Sequence, residues 1–386
     1  MMRFFALAAL LFSATSTFAK QTRTVNCTEG ESLNFTLATL IKFLPATVTV
    51  KGTCTEYVFI EGFNDLTLTG APGATLQQPN TIPQTNPLFV LSIKASRNVT
   101  VSGLAVRSLS SPNVLLSSIG IGGGSNQIRL QDVSTDGSWG IFIYEASQVW
   151  LVRATVNISS GYAAISAVDK SDVHIVDGLI ERPTNSNFNA GVYAASGHVT
   201  MQGMTIRDMQ QSINIDTSGS VDLVNFDLTA AGIDVIVDNP SGTNFNGARV
   251  SDSSSLNLSS AKLRISNAGQ PFGGDTGAVF VGNGSTLSAG ASLVVSNSKG
   301  QGVIVTNDSH AQLAGSSITG SAHGGLVVLN LSTASVDFNN PLTSITGNGT
   351  DLFCDSQSRI SGGLNIANAI TVSCNSVLPF SYENLP

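Results

Sequence analysis

Residues able to do acid–base, metal or recognition chemistry are few in this chain. Its 386 residues include 25 Asp+Glu, 18 Lys+Arg and 4 His. Asp234 in "TAAGIDVIV" and Asp275 in "GGDTGAVFV" each stand just before a Val-rich segment, and His323 stands beside Gly324 in "SAHGGLVV". A pair of carboxyls flanking a glycosidic bond can protonate the leaving oxygen and activate water. Asp234, Asp275 and His323 are therefore the candidate catalytic groups. Asp216 and Asp238 follow their strands at matching places and are candidate ligands for calcium, a cation that takes roughly six to eight oxygens. Their alternative reading is a set of solvated turn carboxylates. No other cofactor is expected.

A recognition column comes from strand alternation. The outward residue of successive V-x-L segments is Thr100, Arg129, Trp150, His174, Thr200 and Asp222. Arg129, Trp150 and His174 stacked on neighbouring strands could hold a sugar ring on an aromatic face and a carboxylate on a cation. Trp139, Tyr162 and Phe188 precede strands nearby, either as a sugar platform or as loop packing. A second outward column, Phe142, Ser166, Tyr193, Asn214, Ile236, Phe280, Ile304, Val327 and Phe353, is largely apolar. An apolar outer face needs cover. Self-association through Phe280, Ile304 and Val327 is one expectation, and cover by the chain itself is the other.

The elements that must position these residues are short strands in a repeat. Val101, Leu130, Leu151, Ile175, Met201 and Leu223 recur at spacings of 29, 21, 24, 26 and 22 residues. Val281, Val305 and Val328 recur at 24 and 23. Periods of 20–30 residues built from alternating strands and turns signal a solenoid. Each coil reads as three strands, for example Val173–Ile175, Gly178–Ile180 and Val192–Ala194, with Val173, Ile175, Ile180 and Val192 inward. The register is irregular between Leu223 and Leu258. Asn239, Asn283, Asn307 and Asn330 each follow a strand by two residues. Asn accepts the left-handed conformation of a sharp corner, so stacked coils should align these amides in a ladder. The expected fold is all-β, a right-handed parallel β-helix of about a dozen coils over residues 46–375.

The ends read differently. Residues 1–19 have one Arg, an apolar run and a small-x-small site before Lys20, the pattern of a secretory signal peptide. The apolar run is too short to span a membrane, so a secreted or cell-surface location is expected. Residues 20–45 form an N-terminal cap in which Leu33, Leu37, Leu40, Ile41 and Leu44 share one helical face, with Thr28 and Glu31 as a capping box and Pro45 as the stop. Residues 376–386 are a C-terminal tail. Four cysteines in an exported chain favour disulfides. They allow three connectivities, and the wide gap favours Cys27–Cys54 and Cys354–Cys374. Sparse charge without a basic run argues against nucleic acid.

The Gly-rich loop, V-x-V strand, Asn corner and V-x-L strand together resemble the right-handed parallel β-helix repeats of the pectate-lyase-like superfamily. "ATVTVKGTCTEYVFIEGFNDLTLTG" is similar to the first coil of its secreted members. The resemblance covers nearly the whole mature chain and implies action on acidic polysaccharides. The polygalacturonase-like pattern it implies, N-x-D, D-D, G-H-G and R-x-K on successive coils, is incomplete. Ile233 neighbours Asp234, Asp275 is alone, Ala322 replaces a glycine before His323, no R-x-K follows, and Asn214-Ile215-Asp216 lies within a strand. A lyase would need an Arg or Lys beside the calcium acids, and none is placed to converge. The sequence thus carries two readings. One is a secreted β-helix that binds or processes an extracellular polysaccharide, as a lyase or glycoside hydrolase if it is an enzyme. The other is a non-enzymatic adhesive or structural surface protein that self-associates as a homo-oligomer.

Overall fold

The computed structural model describes residues 20–80, 89–109, 116–159, 161–181, 190–224, 234–239, 246–271, 276–336, 343–362 and 364–366. Alternation of apolar and polar residues gives each segment one inward face, and short segments cannot bury that face alone. Stacking solves this. The strands form three all-parallel sheets of 14, 13 and 12 strands, each coil contributing one strand to each sheet in turn. The first sheet runs from Gln21–Asn26 to Arg359–Ser361, the second from Thr53–Thr55 to Leu364–Ile366, the third from Val58–Glu61 to Thr350–Cys354. The protein is a parallel β-helix. At about 4.8 Å per strand the rod is about 60 Å long.

The repeat read from the sequence is the register of the sheets. Val101, Leu130, Leu151, Ile175, Met201 and Leu223 are successive partners in the first sheet. Val281, Val305 and Val328 are partners in the third. All nine side chains are fully buried, and each contributes about 1.5–3 kcal/mol by leaving water. The irregular stretch resolves simply, because Leu223 pairs directly with Leu258 and that coil carries longer connections.

One strand lies elsewhere than expected. Val235–Asp238 joins the second sheet, pairing with Thr205–Arg207 and Leu263–Ser266. The third-sheet strand of that coil is Asn246–Val250. A V-x-V pattern fits either sheet, and only the pairing of Val235–Asp238 decides its side. Ile236 therefore leaves the outward column of the third sheet, and Arg249 takes its place between Asn214 and Phe280.

The corner from third to first sheet is built from two consecutive residues with positive φ. Asn283 and Gly284 have φ of 56° and 70°, Asn307 and Asp308 57° and 56°, and Asn330 and Leu331 54° and 64°. Asp252 with Ser253 and Thr217 with Ser218 repeat it. The expected amide ladder is present for three residues. Asn330 Nδ2 donates to Asn307 Oδ1 at 3.1 Å, and Asn307 Nδ2 donates to Asn283 Oδ1 at 3.1 Å. Asn239 is outside it, at the end of the second-sheet strand, fully buried with no partner for its amide among the described residues. A serine after four of these corners, Ser254, Ser285, Ser309 and Ser332, makes a second ladder. The N–H groups of Ser254, Ser285 and Ser309 donate to the hydroxyls of Ser285, Ser309 and Ser332 at 3.2, 3.3 and 3.1 Å.

The cap is shorter than its apolar pattern suggests. The helix spans Leu33–Thr39, with Ser32 rather than Thr28 as its N-cap. Leu33 and Leu37 are buried while Ile41 is 45% exposed. Glu56 accepts from the N–H of Leu33 at 2.6 Å, so a carboxylate meets the first free donors of the helix. Asn34 closes the sheet edge, accepting from Phe59 N–H at 3.0 Å and donating to the Tyr57 carbonyl. The cap also supplies a strand, since Gln21–Asn26 pairs with Ala46–Lys51. Cys27 and Cys54 are joined by a disulfide. Cys354 is disulfide-bonded too, and Cys374 lies outside the described residues, as do residues 1–19 and 376–386. Among the described residues no helix is long and apolar enough to cross a membrane.

Asn307→Gly keeps the left-handed corner but removes two ladder bonds. Urea unfolding should register a loss of about 1–2 kcal/mol. Asn307→Val should lose about 1–2 kcal/mol more, because a β-branched residue resists positive φ.

Candidate functional site

Alternation puts every second strand residue on the outer face of the third sheet, and aromatic rings from the strands and their flanks gather there. Phe89 stacks with Phe142 at 6.3 Å and with Tyr144 at 5.9 Å. Phe142 meets Tyr144 at 5.4 Å and Trp139 at 6.5 Å. Trp139 meets Tyr162 at 6.5 Å, and Tyr162 meets Tyr193 edge-on at 4.9 Å. Glycines seat the rings. A Cβ on Gly120 would lie 2.3 Å from the Phe89 ring, and one on Gly122 would lie 2.4 Å from the Tyr144 ring. Gly161 stands in the same relation to the Trp139 indole at 2.2 Å. Tyr162 is 41% exposed, whereas Trp139, Phe142, Tyr144 and Tyr193 are half-buried.

This aromatic run ends at a cleft of about 210 Å³ walled by Tyr162, Gln210, Asn214, Asp216, Arg249 and Asp252. Asp216 closes the strand Gln211–Asp216, and Asp252 opens the corner one coil on. Burial pushes the Asp216 carboxyl above the usual carboxylate range, and its hydrogen bond to Asp252 adds to the rise. The same bond, together with one from Asn283, holds Asp252 below that range. The Arg249 guanidinium lies 4.8 Å over the Phe280 ring. Burial also raises the Tyr193 hydroxyl, keeping it neutral beside Tyr162.

Asp234 and His323, two of the candidate hydrolytic groups, are not brought together. Asp234 precedes a second-sheet strand and is ion-paired with Arg264. His323 precedes a third-sheet strand and contacts the Pro271 carbonyl at 2.7 Å. They lie on different sides of the rod, and Asp275 is outside the described residues. The calcium pair is also separated. Asp216 ends a third-sheet strand, while Asp238 ends a second-sheet strand and accepts from Ser266 Oγ at 2.9 Å and Asn267 Nδ2 at 3.0 Å. These two acids cannot close on one ion. Phe280, Ile304 and Val327 are 4, 1 and 7% exposed and form a buried cluster with Leu329. The chain covers its own apolar strand there, so those side chains are not a free surface for a second copy.

The first-sheet column stands in the expected register, with Arg129 beside Trp150 and Trp150 beside His174. Trp150 stacks on His174 at 5.1 Å, while Arg129 bonds Gln131 at 3.1 Å. Sequence reasoning missed its neighbour. His198 joins Asp172 through Nδ1 at 3.0 Å and Asp222 through Nε2 at 2.9 Å. His174 also reaches Asp172, at 3.2 Å. Burial opposes charge on the His198 ring, but the bonds to Asp222 and Asp172 outweigh it and raise its pKa. The signal was available, because Asp172 and His198 open aligned strands. The acid pair was hidden by the misplaced strand, which put Asp238 where Asp252 belongs.

No protein-family model matches the chain, and no curated protein matches it. Among solved structures it is similar to that titled "Crystal structure of PfbA, a surface adhesin of Streptococcus pneumoniae", with 11% identity over 91% of this chain and 92% of that one and a TM-score of 0.38. A likeness that distant carries no functional argument.

His198 gives a pH signature. Its stabilisation is complete below the ordinary value of 6.5 and is lost as pH rises through the raised value. The melting temperature should fall above pH 6.5 in the wild type, and His198→Gln should lack that component of the fall. A second expectation concerns the ring seats. Gly120→Ala must displace Phe89, at about 1–3 kcal/mol by chemical denaturation.

Proposed function

We propose that the protein binds an extracellular polysaccharide along the outer face of the third sheet and does not hydrolyse it through its acid pair. The observation that carries this reading is the aromatic run from Phe89 to Tyr193, which leads into the polar cleft at Asn214, Asp216 and Arg249. Aromatic faces beside hydrogen-bonding groups suit sugar rings, which are apolar on their faces and hydroxylated at their edges. The run and cleft extend over seven third-sheet strands, from Phe89–Lys94 to Asn246–Val250, or about 29 Å at strand spacing. That length suits an extended polymer better than a single sugar.

Binding without hydrolysis follows from the carboxyl geometry. Retaining glycosidases hold their acids about 5 Å apart and inverting ones about 6.5–9.5 Å. Asp216 and Asp252 lie at adjoining corners of one cleft, an arrangement that does not place them on opposite sides of a glycosidic oxygen. The disulfides at Cys27–Cys54 and Cys354 support an oxidising, extracellular setting. The resemblance to pectate-lyase-like repeats supports a polysaccharide partner.

The test is binding of polygalacturonate, alginate and a neutral β-glucan to the full chain, with product release monitored in parallel. Tyr162→Ala should weaken binding of the retained polymer about tenfold, and no reducing ends should appear. Loss of binding in Trp150→Ala with Tyr162→Ala unaffected would move the site to the first sheet. Turnover abolished by Asp216→Asn would replace binding with catalysis.

A further inference from the structure

The cleft at the end of the aromatic run is rich in acceptors. Asn214 stands in the outward column of the third sheet, between Tyr193 and Arg249. It is 5% exposed and lines the cleft, yet its Oδ1 has no hydrogen-bond partner among the described residues. The Oε1 of Gln210, on the same wall, is likewise buried and unpartnered among those residues. A buried acceptor without a donor is costly, and two such oxygens on one wall call for a donor that arrives from outside the chain. Asp216 and Asp252 complete the wall. Thr217 N–H donates to Asp216 Oδ1 at 2.8 Å, and Asn283 Nδ2 donates to Asp252 Oδ1 at 2.9 Å. A carboxylate accepts up to about four bonds, so both acids keep capacity for a ligand.

The charge of the cleft narrows the class of that ligand. Among the described residues lining it, Arg249 is the one cation. Its guanidinium lies 4.8 Å over the ring of Phe280, its partner on the next coil. Two carboxylates and two carbonyl oxygens therefore stand against one guanidinium. A sugar carboxylate would set its charge against both acids. A neutral sugar would satisfy the oxygens but leave the excess negative charge unbalanced. An ammonium group brings three donors and a positive charge together, and such charge-assisted bonds are about twice as strong as neutral ones. A bound cation also favours the ionised form of both acids. Tyr162, 41% exposed, borders the same cleft, and the face of its ring attracts an ammonium.

Resting on the glycan reading, we propose that this cleft is the subsite for an amino sugar, its free ammonium held by Asp216, Asp252, Asn214 Oδ1 and Gln210 Oε1. N-acetylation removes the charge and two of the three donors, so the cleft distinguishes a free amine from an acetamide. The other end of the aromatic run carries a cation of its own, since Lys94 lies 5.9 Å over the Tyr144 ring. The amine is thus required at the cleft and not along the whole polymer.

The experiment measures binding of β-1,4-linked hexamers of glucosamine, N-acetylglucosamine and glucose to the full chain, with a galacturonate hexamer beside them. The pH is one at which the free amines are protonated. The glucosamine hexamer should bind about tenfold tighter than the other three. Asp252→Asn keeps an acceptor for Asn283 and suits the left-handed corner. It should weaken the glucosamine hexamer about tenfold and leave the N-acetylglucosamine and glucose hexamers unchanged. Asp308→Asn, at an exposed corner two coils on, should change none of them, which separates the cleft from general attraction to a chain of net charge −7. Equal affinity for the glucosamine and N-acetylglucosamine hexamers would overturn the amino-sugar subsite and leave the glycan reading intact, as would a preference for galacturonate. An equal loss in Asp252→Asn and Asp308→Asn would remove the ammonium from the cleft. Binding of none of the four hexamers would overturn the glycan reading and the subsite with it.

Discussion

The rod depends on a backbone turn that most residues resist. At most passages from third to first sheet the chain takes two residues in the left-handed region and then a residue that must fit beneath the next coil. L residues with a Cβ enter that region at a cost of about 1–2 kcal/mol each, so the corner persists only where something offsets it. Asparagine, aspartate and glycine reduce the cost directly, as at Asn283-Gly284 and Asp252-Ser253. The buried serines that follow offset it through bonds to the next coil, since each hydroxyl receives an N–H that would otherwise be unpaired. With the corner angle set, the first and third sheets stay in register, and the apolar columns stack without slipping.

Much of this was legible in the sequence because solenoid register is a one-dimensional problem. Once the inward residues of a few coils are aligned, the columns of two sheets follow, including Arg129, Trp150 and His174. The asparagine corners were legible for the same reason. Three things were not. The strand at Val235 carries the right alternation for either side of the rod, and only pairing with Thr205–Arg207 decides it. The helix stops at Thr39 although its apolar spacing continues, because Leu40 turns extended and is buried by tertiary contact. The buried state of Phe280, Ile304 and Val327 depends on cover from outside their own strands, which alternation within a strand does not encode.

The candidate site was less legible than the fold, and the reason is the same misplaced strand. Asp216 and Asp252 are 36 residues apart, joined across a coil with long connections. Their meeting depends on Asn246–Val250 being the third-sheet strand. The aromatic run was half visible. Trp139, Tyr162 and Tyr193 stood out by type, but the glycines that seat Phe89 and Tyr144 show their purpose only when neighbouring coils are superposed. Small residues on one strand and large rings on the next are a single feature, split between segments some twenty to thirty residues apart.

The unequal strand lengths of the three sheets have a mechanical consequence. Second-sheet strands are mostly three or four residues long, whereas first- and third-sheet strands reach six or seven. Tension along the rod is shared among three ladders at each coil interface but passes through every interface in turn. The side with the fewest bonds yields first. In its N-terminal coils a rod pulled from its ends would therefore gape along the second sheet like a hinge, with the third sheet as the leaf that stays shut. The face bearing the aromatic run would bend under load while remaining continuous.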